Sequence, residues 1–172
     1  MFEPKKRGDG RGLVADGDVR VHESQRKEAL HGTERDTIPK INRNSFNRSF
    51  CGKNATAYGK GVYFAVDASY SIDDKYSHPD SQGNKYMYLA RVVVGDFCVG
   101  NDTMNVPPPM PATSNLLLYD SMINRLNPPP MHVIYHDAQA YSELMSASSP
   151  SAVVQFTKMT FDVDTGNFEE NL

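Results

Sequence analysis

Apolar and polar positions change rhythm several times along the chain, and each rhythm predicts an element. Tyr86-Met-Tyr-Leu-Ala-Arg-Val-Val-Val94 is an almost continuous β-prone run closed by Gly95-Asp96, the pattern of a central strand buried on both faces. Phe97-Cys-Val99 is expected to continue it after a bend. Met131-His-Val-Ile-Tyr135 starts after a proline run and alternates, which places Met131, Val133 and Tyr135 on one face. Val62-Tyr-Phe-Ala-Val66 reads as a third strand, after which Asp67 offers an N-cap for a short helix through Ile72. Thr33-Glu-Arg-Asp36 has the form of a capping box, with Asp in place of Glu or Gln, and predicts another short helix entered directly from His31-Gly32. Together these elements predict an α+β domain dominated by strands.

Composition adds limits. At 172 residues and 39% apolar content the chain suits one globular domain. Its net charge of −3 and pI near 5.9 leave no basic footprint, so no direct nucleic-acid binding is expected. No run approaches the roughly 20 apolar residues of a membrane span, so no membrane partner is expected either. Cys51 and Cys98 are too few for a disulfide framework or a four-thiolate zinc site, and an intracellular protein is expected. Three zones follow: a charged, Gly-rich flexible leader over residues 1–26, a packed domain over 27–145 that carries the chemistry, and a tail over 146–172 with a possible strand at 153–161.

Isolated residues invite other chemistries, which their surroundings disfavour. Cys51 with His31 suggests a thiol nucleophile, but nothing visible lowers the thiol pKa. Gly59-Lys-Gly61 lacks the Gly-Lys-Ser/Thr of a phosphate loop, which leaves Lys60 a solvated side chain. His132 and His136 fall on the face opposite Met131 without the close partners zinc requires, and are expected to be structural or exposed. No metal is expected.

Four segments in order carry a more specific pattern: His31-Gly-Thr33, Phe46-Asn-Arg-Ser-Phe-Cys-Gly-Lys-Asn-Ala55, Tyr58-Gly-Lys-Gly-Val-Tyr-Phe-Ala-Val-Asp-Ala-Ser-Tyr-Ser71 and Asp137-Ala-Gln-Ala-Tyr141. From about Glu28 to Met145 the chain resembles the poly(ADP-ribose) polymerase superfamily of diphtheria-toxin-like ADP-ribosyltransferases, nearest its macrodomain-associated, mono-transferring branch. The resemblance implies a split, mixed β-sheet fold with short helices, clamping nicotinamide adenine dinucleotide (NAD⁺) as substrate and passing ADP-ribose to acceptor proteins in the nucleus or cytoplasm. It implies a signature triad of His31, Tyr63 and Met131. His31 would bond the adenosine ribose with Thr33 beside it, Gly32 would offer backbone C=O and N–H to the nicotinamide carboxamide, and Ser71 would add a hydroxyl. Tyr76 would stack on the pyridinium, and Tyr63 and Tyr70 would form pocket walls.

In polymerising relatives the third signature position is a glutamate that aligns an acceptor sugar. The resemblance over Asp137-Ala-Gln-Ala-Tyr141 aligns that position with Met131, eight residues before Gln139, and the Met131 thioether is a weak acceptor. Single ADP-ribosyl units and no polymer are therefore expected, with an acceptor carboxylate able to supply the missing charge. Rival readings are a catalytically silent NAD⁺-binding or interaction module of the same fold, and simple NAD⁺ hydrolysis. Family domains carry a strand and helix before the His-Gly-Thr signature. The residues upstream of His31 do not resemble that segment, so the N-terminal part of the fold is expected to be truncated.

Overall fold

The computed structural model describes residues 25–50, 56–111, 117–125, 131–149, 155–162 and 167–171, the last two stretches by backbone alone. Most of the leader and Cys51 therefore lie outside the described residues. Among the described residues nine strands form one mixed sheet: β1 (Arg26–Thr33), β2 (Val62–Ala65), β3 (Lys85–Val93), β4 (Phe97–Val99), β5 (Ser121–Ile123), β6 (Met131–Ile134), β7 (Ala140–Ser148), β8 (Gln155–Asp162) and β9 (Asn167–Asn171), in the order β4-β5-β6-β2-β1-β3-β7-β8-β9. Among these described strands β4 and β5 are the parallel pair. Two short helices, α1 (Ile38–Asn44) and α2 (Ala68–Ser71), complete the α+β architecture the sequence predicts.

The sheet is nearly cut in two. β1 and β3 pair along their length, from Arg26↔Val93 to Thr33↔Tyr86, whereas β1 meets β2 at the single pair Leu30↔Ala65. Beyond that pair the two strands diverge. The gap is floored by an aromatic core in which Phe46 lies edge-on to both Phe64 and Tyr88, with ring centroids 4.9 and 5.7 Å apart. Phe64 and Tyr88 are fully buried, and such side chains each stabilise the fold by about 1.5–3 kcal/mol. Tyr88 also donates its hydroxyl to Asn42 at 2.5 Å, which fixes α1 over this core.

Several local expectations hold. Asp67 caps α2 by accepting from Ser69 N–H at 2.8 Å, and the strands near 62, 86 and 131 form within a residue or two of their predicted limits. The strand expected at 153–161 is observed as β8, residues 153 and 154 lying outside the described set.

Others give way to tertiary pairing. Thr33 is not a helix cap: it is buried at the end of β1 opposite Tyr86, because the ladder to β3 satisfies the backbone that a capping box would otherwise need to satisfy. The chain instead makes a 3₁₀ turn over Arg35–Thr37, and α1 begins only at Ile38, with Pro39 in its first turn. Phe97–Val99 does not extend β3. Gly95 adopts φ +53°, turning the chain so that β4 lands on the opposite edge of the sheet beside β5, and Asp120 accepts from Asp96 N–H at 2.8 Å to hold the turn. At the boundaries drawn for the packed domain, β1 starts at Arg26 and β7 runs past Met145 to Ser148.

Candidate active site

Where β1 and β2 diverge, a cleft of about 330 Å³ opens, roofed by α2 and flanked by α1 and the 3₁₀ turn Arg48–Phe50. That is a size suited to part of a large ligand. Every residue that the resemblance assigns to the site lines it: His31, Gly32, Thr33, Tyr63, Tyr70, Ser71, Tyr76 and Met131.

His31 bridges the seam. Its Nδ1–H donates to the Tyr63 carbonyl at 2.9 Å, across the point where backbone pairing between β1 and β2 has stopped. Burial pulls the His31 pKa below the ordinary histidine value, outweighing the opposite pull of that carbonyl. The imidazole is therefore neutral near pH 7. With Nδ1 donating, Nε2 is left as an acceptor suited to a sugar hydroxyl.

Gly32 is required by space rather than by φ. A Cβ there would stand 1.9 Å from the Ser71 carbonyl oxygen and 3.2 Å from Tyr76 Cβ, so β1 approaches α2 closely only because position 32 has no side chain. Ser71, itself buried, donates its hydroxyl to Leu30 O at 3.0 Å. In this arrangement its oxygen can accept from a ligand N–H. Donating to a ligand oxygen, as the resemblance implies, requires it to release Leu30.

Tyr63 uses its phenol on the backbone: the hydroxyl donates to Gly59 O at 2.8 Å and accepts from Tyr58 N–H at 2.9 Å. Tyr63 also lines the cleft. Tyr70 and Tyr76 stack with centroids 4.8 Å apart and hydroxyls 2.6 Å apart. A third ring does not fit between them, so an aromatic ligand meets Tyr76 on its other face or displaces Tyr70. Lys75 Nζ lies 5.4 Å from the Tyr76 ring centroid. Met131 is buried in register with Ala65, and Ala65 with Leu30, which sets the third signature position at the foot of the seam.

The last motif, Asp137 to Tyr141, has a structural task. Gln139 Oε1 accepts from Tyr135 N–H and His136 N–H at 3.1 and 2.9 Å, while Nε2 donates to Val93 O and Asp120 O. Asp137 accepts from Arg48 N–H at 3.0 Å. This knot ties the end of β6 to β3, to the turn before β5 and to the cleft wall. His136 is exposed, and His132 is buried with no partner for Nδ1 among the described residues, its pKa lowered to about 4 by burial and then by the Lys27 charge. Among the described residues no cluster of His, Cys, Asp or Glu is placed to hold a metal ion.

Sequence reading missed Lys40, Phe46, Asn47, Phe50, Tyr58 and Lys75, which also line the cleft. Phe46, Asn47 and Phe50 belong to a loop whose motif was visible but whose individual roles were not. It also missed Arg48, whose guanidinium donates to Lys60 O at 2.8 Å and to Asn105 O and lies 5.0 Å from the Tyr135 ring centroid. No sequence signal marks that clamp, because its partners lie 12, 57 and 87 residues away.

A split mixed sheet with a His–Tyr pair across the seam and a glycine-edged cleft defines the ADP-ribosyltransferase fold class. Comparison with known proteins bears this out. Residues 4–112 match the poly(ADP-ribose) polymerase catalytic domain, and the chain belongs to that family. The match begins at residue 4, so the residues upstream of His31, read as unlike the family, fall within it. Human (Homo sapiens) protein mono-ADP-ribosyltransferase PARP14 is 45% identical over 119 residues, covering 69% of this chain and 7% of the relative. Mouse (Mus musculus) protein mono-ADP-ribosyltransferase PARP10 is 44% identical over 110 residues, 64% of this chain and 11% of that protein. Human PARP12 is 38% identical over 131 residues, 76% of this chain and 17% of that protein. The chain thus spans less than a fifth of each of these relatives.

Proposed function

We propose that this chain transfers single ADP-ribosyl units from NAD⁺ to acceptor side chains on proteins. The observation that carries the reading is the gathering of His31, Gly32, Tyr63, Ser71, Tyr76 and Met131, drawn from a hundred residues of sequence, on one cleft. The similarity to relatives named as mono-ADP-ribosyltransferases supports it.

In this reading the Gly32 backbone and Ser71 hold the carboxamide, Tyr76 receives the ring, and His31 Nε2 accepts from the adenosine ribose. The bond between ribose C1′ and the nicotinamide nitrogen breaks with its electron pair going to nitrogen, so nicotinamide leaves neutral and needs no acid. The acceptor's nucleophilic atom forms the new bond to C1′, and any proton it carries passes to water. What the protein supplies is alignment of the dinucleotide in the cleft. Buried Met131 offers no carboxylate at the third signature position to orient a sugar acceptor, which favours single-unit products.

The test is transfer of labelled ADP-ribose to the chain itself or to a lysate, with NAD⁺ binding measured in parallel for wild type and Gly32→Trp. Labelled protein carrying single units, lost in the variant, supports the reading. Binding without transfer overturns it in favour of a silent module, nicotinamide release without labelled protein indicates hydrolysis, and long polymers refute the single-unit product.

A further inference from the structure

We infer that Lys75 makes the cleft discriminate by charge at the ring it receives, loosening its hold on a cationic pyridinium while leaving a neutral pyridine-type ring unaffected. This rests on the reading of the cleft as an NAD⁺ site and deepens it.

Lys75 lines the cleft next to Tyr76, with Nζ 5.4 Å from that ring's centroid. It has no ion pair among the described residues. Of the neighbouring carboxylates, Asp74 is drawn to Lys85 Nζ, and Asp73 accepts from the Lys75 backbone N–H at 2.9 Å. Tyr70 stacks on Tyr76 and Lys75 Nζ lies over the same ring, so a ligand ring that reaches Tyr76 comes close to the ammonium. A pyridinium placed there shares the π-system with an ammonium already attracted to it, and the two positive charges repel.

With the two charges several ångströms apart and the screening of a partly open site, that repulsion amounts to about a three- to tenfold loss of affinity for the cation. A neutral ring escapes it. The same asymmetry bears on the reaction. When the C1′–N bond breaks, the ring loses its charge, and repulsion from Lys75 falls as the positive charge moves onto the sugar. Lys75 thereby raises the energy of bound NAD⁺ more than that of the departing nicotinamide.

The experiment uses the full chain, titrated by calorimetry with two dinucleotides that differ at this ring: carbocyclic NAD⁺, which keeps the cation and cannot be cleaved, and NADH, whose dihydronicotinamide is neutral. Lys75→Met is expected to tighten carbocyclic NAD⁺ about three- to tenfold while NADH changes by less than about twofold. Lys75→Arg, which keeps the charge, is expected to restore the wild-type ratio. In turnover with NAD⁺, Lys75→Met is expected to lower KM and kcat together, where a merely structural role would raise KM. Equal tightening of both ligands assigns Lys75 a steric role and overturns the inference, as does no change in either. If wild type binds neither dinucleotide, the reading of the cleft itself fails.

Discussion

Adding one methyl group at Gly32 tests the architecture of the site directly. In Gly32→Ala the new Cβ would stand 1.9 Å from the Ser71 carbonyl oxygen, so that oxygen must retreat by about 1.5 Å to reach ordinary contact distance. The obstacle is backbone at the end of α2, which no rotamer change can relieve. Moving α2 strains the hydrogen bond from Ser71 Oγ to Leu30 O, and the neighbouring contact at Tyr76 Cβ adds to the crowding. Overpacking costs about 1–3 kcal/mol and a weakened buried hydrogen bond about 1 more. A loss of roughly 2–4 kcal/mol lowers the Tm of a chain of this size by about 4–16 °C. The displaced α2 also carries Ser71 and Tyr70 off the cleft, so NAD⁺ affinity is expected to fall by more than tenfold. Thermal unfolding followed by circular dichroism and calorimetric titration with NAD⁺ read the two effects. An unchanged Tm with unchanged affinity would refute the argument that α2 docks on β1 through the missing side chain.

Other perturbations separate the remaining parts of the site. Tyr63→Phe strands Tyr58 N–H and leaves Gly59 O with Gly61 N–H as its donor at 3.1 Å, and chemical denaturation is expected to show a loss of about 1–3 kcal/mol with the ring wall of the cleft kept, hence a smaller effect on NAD⁺ affinity than Tyr63→Ala. Buried His132 has a folded pKa near 4, below its unfolded value of about 6.5, so the unfolded chain binds more protons and stability falls as pH drops from about 6.5 towards 4. Denaturation at pH 7 and 4.5 is expected to show a smaller acid loss in His132→Leu than in wild type, a residual loss coming from His31, whose pKa is also lowered by burial. Met131→Glu places a carboxylate in a buried position, and thermal unfolding is expected to show destabilisation of at least about 2 kcal/mol, whereas Met131→Leu keeps near-native stability and single-unit products.

Local physics was legible in the sequence wherever a few neighbouring residues decide the outcome. The β-branched runs near residues 62, 86 and 131 became strands, Asp67 capped α2, and the ordered motifs marked which residues would meet. Tertiary structure decided what depends on partners far along the chain. Thr33 could cap a helix by its neighbours, yet the ladder to Tyr86 claimed it for a strand, because the hydrogen bonds available from β3 replace those a cap would give. Phe97 to Val99 carries the same local signature whether it extends β3 or crosses to the other edge, and the turn at Gly95 with Asp120 made that choice. The division of hydrogen bonds within the cleft is likewise a tertiary matter: Ser71 is held by Leu30, Tyr63 by Gly59, and Tyr76 by Tyr70 and Lys75. The sequence names the groups able to bind a dinucleotide. Which of their donors and faces remain free follows only from where the single joint between β1 and β2 lets the sheet open.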